Sequence, residues 1–97
     1  MKEREQDIRG LNKEYFYFLI EETFDNYGLD SPNHQQIDQA IEKTRGLLRQ
    51  VLESSFQLVN VKKIAESCNL SAMRVKELYS EAVNQVFNLL QSETNQH

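Results

Sequence analysis

Ninety-seven residues, 39% of them hydrophobic, suffice for one small domain with a modest core. Plentiful helix formers, a single Pro and three Gly favour an all-helical fold. A formal charge of −4 is wrong for a wholesale nucleic-acid coat, and one Cys can form neither an internal disulfide nor a metal knuckle. No apolar run approaches membrane-spanning length and no charged-then-apolar leader is visible, so the expected location is the cytoplasm, a reducing compartment.

Met1 to Gly10 carries charges of both signs and little to bury, which predicts a solvated lead-in. Gly10 is a break, and Asn12 caps a first helix expected over Asn12 to Tyr27. Phe16, Ile20, Phe24 and Tyr27 form one stripe on it; Leu11, Tyr15, Phe18 and Leu19 form a second, rotated about the axis. From Tyr15 to Ile20 the helix is apolar on nearly every side, so more than one face must be covered. Two arrangements meet that demand. One is a homodimer interface of Tyr15, Phe16, Phe18, Leu19 and Ile20; the other is a central helix wrapped by its own chain. The strand propensity of YFYFLI is outweighed by the long helical stripe. Gly28 stops the helix as a left-handed cap.

Ser31 and Pro32 make an N-cap and first-turn pair. They predict a helix of roughly six turns through Ile37, Ile41, Thr44, Leu48, Val51, Leu52 and on to Phe56. Gly46 falls inside that span and costs about 1 kcal/mol relative to Ala. Its expected use is to let another helix approach closely. Arg45 and Arg49 lie on the polar side, either solvated or near a phosphate.

Phe56 to Val59 bends the chain into the stretch from Asn60 to Leu78, NVKKIAESCNLSAMRVKEL. Asn60 caps a two-turn helix, Val61 to Cys68, whose apolar face is Ile64, Ala65 and Cys68. Asn69 stands where the chain must turn, and Asn tolerates positive φ better than any residue but Gly. Leu70 plugs the turn and Ser71 caps the final helix. Val75, Leu78, Ala82, Val86 and Leu89 then form one stripe. That helix runs far beyond what groove reading needs, and Ser92 to His97 is expected to be disordered. Charge is unevenly spread: Leu58 to Gln91 carries four basic and three acidic residues, Met1 to Gln57 seven basic and eleven acidic. The pattern is that of a helix-turn-helix, whose second helix enters the major groove of DNA. Plain packing of two helices is the other way to satisfy it.

Residues 61–83 resemble the DNA-binding helix-turn-helix of region 4 of sigma factors and of the response regulators that share its pattern. Those families read as "EIA, four residues, hydrophobic, Ser, three residues, Val, Lys". The matching residues are Lys63, Ile64, Ala65, Leu70, Ser71, Val75 and Lys76, with departures at Asn69, usually Gly, and Met73, usually small and polar. Residues 1–57 match no family. The resemblance implies promoter or operator recognition.

Helix geometry then assigns roles. Ala72, Met73, Lys76, Glu77 and Ser80 are the candidate base readers: Lys for guanine, Glu for cytosine N4, and the Ala and Met methyls for thymine. Lys62, Lys63, Ser71 and Arg74 are the phosphate candidates. Enzymatic chemistry finds no support. His97 is terminal, His34 lies in the first turn of a helix, Cys68 is expected in a helix crossing, and no phosphate loop, metal spacing or nucleophile–base set is visible. No cofactor or metal is expected.

The expected fold is an all-α bundle of about four helices ending in a helix-turn-helix, one domain over residues 1–97. Residues 12–57 are its scaffold and dimerisation helices, and 58–91 the helix-turn-helix with its extended second helix. The expected function is a prokaryotic, homodimeric transcription regulator that binds double-stranded DNA. The alternative is an adaptor that engages RNA polymerase or another regulator through the same helix pair.

Overall fold

The computed structural model describes residues 10–58 and 60–94, with side chains as far as residue 92. The charged lead-in before Gly10, Val59 in the bend, and the tail from residue 95 lie outside the described residues. Within them the chain forms five helices: α1 (Lys13–Asn26), α2 (His34–Glu42), α3 (Gly46–Leu58), α4 (Val61–Cys68) and α5 (Ala72–Thr94). Residues 92–94, expected to be disordered, are the last of α5.

Side-chain caps start α1, α2, α4 and α5. Asn12 Oδ1 accepts from the Tyr15 amide at 2.7 Å and opens α1. At its other end Gly28 takes φ 69°. The Leu29 amide then reaches back to the Phe24 carbonyl at 2.9 Å, and that of Gly28 to Asp25 at 3.0 Å, which closes a Schellman motif. The start of α2 is not the expected Ser31–Pro32 pair. Asn33 caps it instead, in a reciprocal box: Asn33 Oδ1 accepts from the Gln36 amide at 2.8 Å, and Gln36 Oε1 from the Asn33 amide at 2.9 Å. Two donors are satisfied at once, where Ser31 would have satisfied one.

The predicted single helix from Ser31 to Phe56 is two helices. The chain turns at residues 43–45, and Gly46 takes φ 69° at the start of α3. The amides of Lys43 and Thr44 bond to the carbonyls of Ala40 and Ile41, each at 3.0 Å, and buried Thr44 Oγ1 donates to Ile41 O at 2.6 Å. Arg49 Nη1 donates to Glu42 O at 3.0 Å and Thr44 O at 3.4 Å, while Nε pairs with Glu53 at 2.9 Å. Arg49 therefore fastens the α2–α3 corner rather than standing free on a polar face. A Cβ placed on Gly46 would meet nothing within 4 Å. Close helix approach is thus not the reason for this glycine; its left-handed backbone is.

Among the described residues two clusters make up the core. The larger joins Phe16, Ile20 and Phe24 of α1, Ile37, Ala40 and Ile41 of α2, Leu52 of α3, and Tyr79 to Leu90 of α5. Phe16 meets Phe56 and Tyr79 edge-on, with centroids at 5.9 and 5.5 Å, and Phe24 meets Phe87 at 4.7 Å. The smaller cluster is Val51, Ile64, Ala65, Cys68, Val75 and Leu78, with Val61 and Leu70 packed against it. α5 belongs to both, which explains its length: its first turns close the α3–α4 corner and its later turns carry α1 and α2. No helix among the described residues is long and apolar enough to cross a membrane.

Candidate nucleic-acid interface

Local chemistry shapes the α4–turn–α5 segment as the sequence predicts. Asn60 Oδ1 accepts from the amides of Lys62 and Lys63 at 2.9 and 3.2 Å. Asn69 adopts φ 61° and ψ 45°, and the Leu70 amide reaches back to Ala65 O at 2.9 Å. Ser71 Oγ accepts from the Arg74 amide at 3.1 Å, so Ser71 caps α5. Ile64, Val75 and Leu78 are buried between the two helices, and Leu70 packs against them.

All five candidate base readers lie exposed: Ala72, Met73, Lys76, Glu77 and Ser80. Met73 is 70% exposed, the largest value among the exposed large hydrophobic side chains. Lys62 and Lys63 stand exposed at the start of α4, and among the described residues neither they nor Lys76 have an ion-pair partner. Arg74 differs. Its guanidinium pairs with Glu77 at 3.2 Å and lies 4.0 Å from Glu81. A proposed phosphate contact and a proposed base reader thus hold each other. Such an exposed pair is worth about 0–1 kcal/mol and yields readily to a stronger anion.

The helix-one residues separate into two groups. Phe16 and Ile20 are fully buried in the single chain and so are not available to a partner, which corrects the expectation that they line a dimer interface. Phe18 is 52% exposed, while Tyr15 and Leu19 are partly buried against the chain's own core. The stripe that the sequence left without cover is largely wrapped by α5.

That wrapping produces an arrangement with no local sequence signal. Tyr79 donates its hydroxyl to Asn12 O at 2.7 Å across 67 positions, and its ring stacks on Tyr15 with centroids at 6.1 Å. Burial pushes the Tyr79 phenol well above its ordinary pKa. As a result Tyr15 and Leu19 of α1 line one groove with Lys76 and Ser80 of α5, together with Gly10, Leu11, Val61 and Tyr79, enclosing about 210 Å³. Candidate dimer residues and candidate base readers share a surface.

On the far side of α1 a polar cluster ties it to α2. Tyr17 donates to Asp38 Oδ1 at 2.7 Å, its ring stacks on His34 at 3.8 Å, and His34 Nε2 meets Glu21 at 3.2 Å. Lys13 lies 3.5 Å from Asp38. Burial, then the bond to Asp38, raises the Tyr17 pKa. Cys68 is buried, with Sγ 3.6 Å from Ser54 Oγ. No group of three or more His, Cys, Asp or Glu placed to hold a metal occurs among the described residues.

No protein-family model, curated protein or solved structure matches this chain.

Proposed function

We propose that the protein is a sequence-specific DNA-binding regulator that acts as a homodimer, with α4 and α5 as a helix-turn-helix and α5 as the helix entering the major groove. The observation carrying this reading is the exposed start of α5, directly after a left-handed turn, with Met73, Lys76 and Ser80 free of the core and Lys62 and Lys63 beside it, unpaired among the described residues. A monomer offers few cations, so two copies double the phosphate contacts and add effective concentration. Two-fold symmetry also suits a palindromic site in a prokaryotic cytoplasm. Lys76→Ala should change preference at one base pair, costing about 1–3 kcal/mol there, whereas Lys62→Ala should weaken binding to all sequences alike. Mobility shifts on a randomised duplex pool, read by sequencing the bound fraction, distinguish the two.

The adaptor reading draws on a specific feature of the same helix. Arg74 is engaged by Glu77 and lies near Glu81, so the exposed flank of α5 combines acids with the bare thioether of Met73. That surface suits a basic, apolar protein partner such as a polymerase subunit. If no duplex is shifted at low salt while a polymerase subunit is bound, this reading replaces the first.

A further inference from the structure

We propose that the cavity between α1 and the start of α2 takes a guanidinium group, the side chain of an arginine presented by a basic segment of a partner protein. This site goes beyond the DNA reading and lies on another flank of α1.

Glu14, Tyr17, Phe18 and Glu21 of α1 and His34 of α2 line this cavity, of about 380 Å³. Three of the side chains are rings and two are carboxylates, a combination that attracts organic cations. The Tyr17 and His34 rings stack at 3.8 Å and form one wall, which Glu21 braces through His34 Nε2 at 3.2 Å. Phe18 is 52% exposed. Tyr15 stacks along its ring with centroids at 6.4 Å and does not line the cavity. Glu14, one turn before Phe18, is exposed and has no ion-pair partner among the described residues. A guanidinium laid on the Phe18 ring can fork onto the Glu14 carboxylate; an ammonium has no flat face to stack and no fork.

The surroundings choose the source of the cation. Glu22 and Asp25 stand exposed further along α1, also without ion-pair partners among the described residues. Lys13, the one base of α1, is drawn aside to Asp38 at 3.5 Å. A second copy of this chain would set carboxylate against carboxylate, so the complementary surface is a basic one on a different protein. The cavity opens broadly to solvent, which suits a side chain reaching in from a partner better than a free metabolite that must be enclosed. Around the α1 axis its residues stand about 130° from Tyr15 and Leu19, which line the groove of Lys76 and Ser80. DNA on α5 and a protein on this flank can therefore be bound at the same time.

Titrating the ¹⁵N-labelled full chain by NMR, at low salt and without DNA, tests this. The probes are two blocked peptides of equal charge, one alternating Arg with Gly and the other Lys with Gly, and the single residue N-acetylarginine amide. The Arg peptide should shift the amides of Glu14, Phe18, Glu21 and His34 and bind at least about fivefold more tightly than the Lys peptide. Phe18→Leu, which keeps an apolar side chain but removes the ring, should abolish that preference. Glu14→Gln should weaken the Arg peptide at least about threefold, whereas Glu66→Gln, an exposed acid on α4, should leave it unchanged. Both cavity positions are exposed, and circular dichroism confirms that each variant is folded. Equal affinity for the two peptides, or a preference that survives Phe18→Leu, overturns the site and leaves only a general attraction to acid. N-acetylarginine amide binding as tightly as the peptide overturns the protein partner in favour of a small cation. DNA binding is judged separately by mobility shift, so either reading can fail without the other.

Discussion

Asn69, between α4 and α5, and Gly46, at the start of α3, hold nearly the same left-handed backbone, with φ of 61° and 69°. The first is legible as a turn and the second is not. Around Asn69 every neighbour agrees: an apolar face that ends at Cys68, a plug at Leu70, and a capping Ser71 followed by a new stripe. Around Gly46 the apolar spacing of Ile37, Ile41, Thr44 and Leu48 runs straight through the break, because α2 and α3 both turn their apolar faces to the same core. Periodicity sees a shared core and not the corner between two helices. What makes the corner is polar and local: the Thr44 hydroxyl on Ile41 O, and the Arg49 guanidinium on the carbonyls of Glu42 and Thr44.

The largest expected effect probes the core beneath the Asn69 turn. Ile64 is fully buried where α4 meets α3 and α5, and Ile64→Ala should cost about 2–5 kcal/mol in urea denaturation. If the small cluster is a separate cooperative unit, native-state hydrogen exchange in this variant should speed up in α4 well before α1. Uniform acceleration would mean that α5 couples the two clusters into one.

The Tyr79 hydroxyl ties α5 to the start of α1. An unfolded tyrosine ionises near pH 10, whereas the buried phenol keeps its proton above that value. The folded pKa is the higher one, so the contribution is full below about pH 10 and declines as pH rises further. Tyr79→Phe should lower stability at neutral pH by about 0.5–1.5 kcal/mol and flatten the alkaline decline. Urea midpoints at pH 8 and pH 11 check both parts.

The two left-handed positions should then separate by substitution. Gly46→Ala meets no clash, so its whole penalty is conformational, about 1–2 kcal/mol. Asn69→Gly keeps the turn and should leave the thermal midpoint almost unchanged. Equal destabilisation by both would contradict the backbone account of Gly46. Arg49→Met keeps the stem but removes the partly exposed donors on the carbonyls of Glu42 and Thr44; a loss of about 0.5–1 kcal/mol is expected.

Helix caps and apolar stripes made much of this fold readable from sequence. Asn12, Asn60 and Ser71 each cap as their position predicts, and the αL roles of Gly28 and Asn69 follow from residue type. Asn33 was hidden because Ser31–Pro32 offers a plausible start two residues earlier, and only the reciprocal bond with Gln36 decides between them. The cover over α1 was hidden for a different reason. It depends on which later helix lies on that face, a contact 67 positions away that no local pattern encodes. For the same reason the groove uniting Tyr15 and Leu19 with Lys76 and Ser80 could not be foreseen. The exposure of Ala72, Met73, Lys76, Glu77 and Ser80 could, because it follows from the phase of the Val75–Leu78–Ala82 stripe.

The most direct measurement of the central proposal is the salt dependence of binding to duplex DNA. Each phosphate neutralised by a lysine contributes about −0.9 to the slope of log affinity against log salt. With Lys62 and Lys63 engaged on phosphates, the slope should be about −2 per protomer, and Lys62→Ala should reduce it by about 1. No binding at any salt concentration, or a slope near zero that Lys62→Ala leaves unchanged, would contradict the assignment of α4 and α5 as a DNA-reading pair.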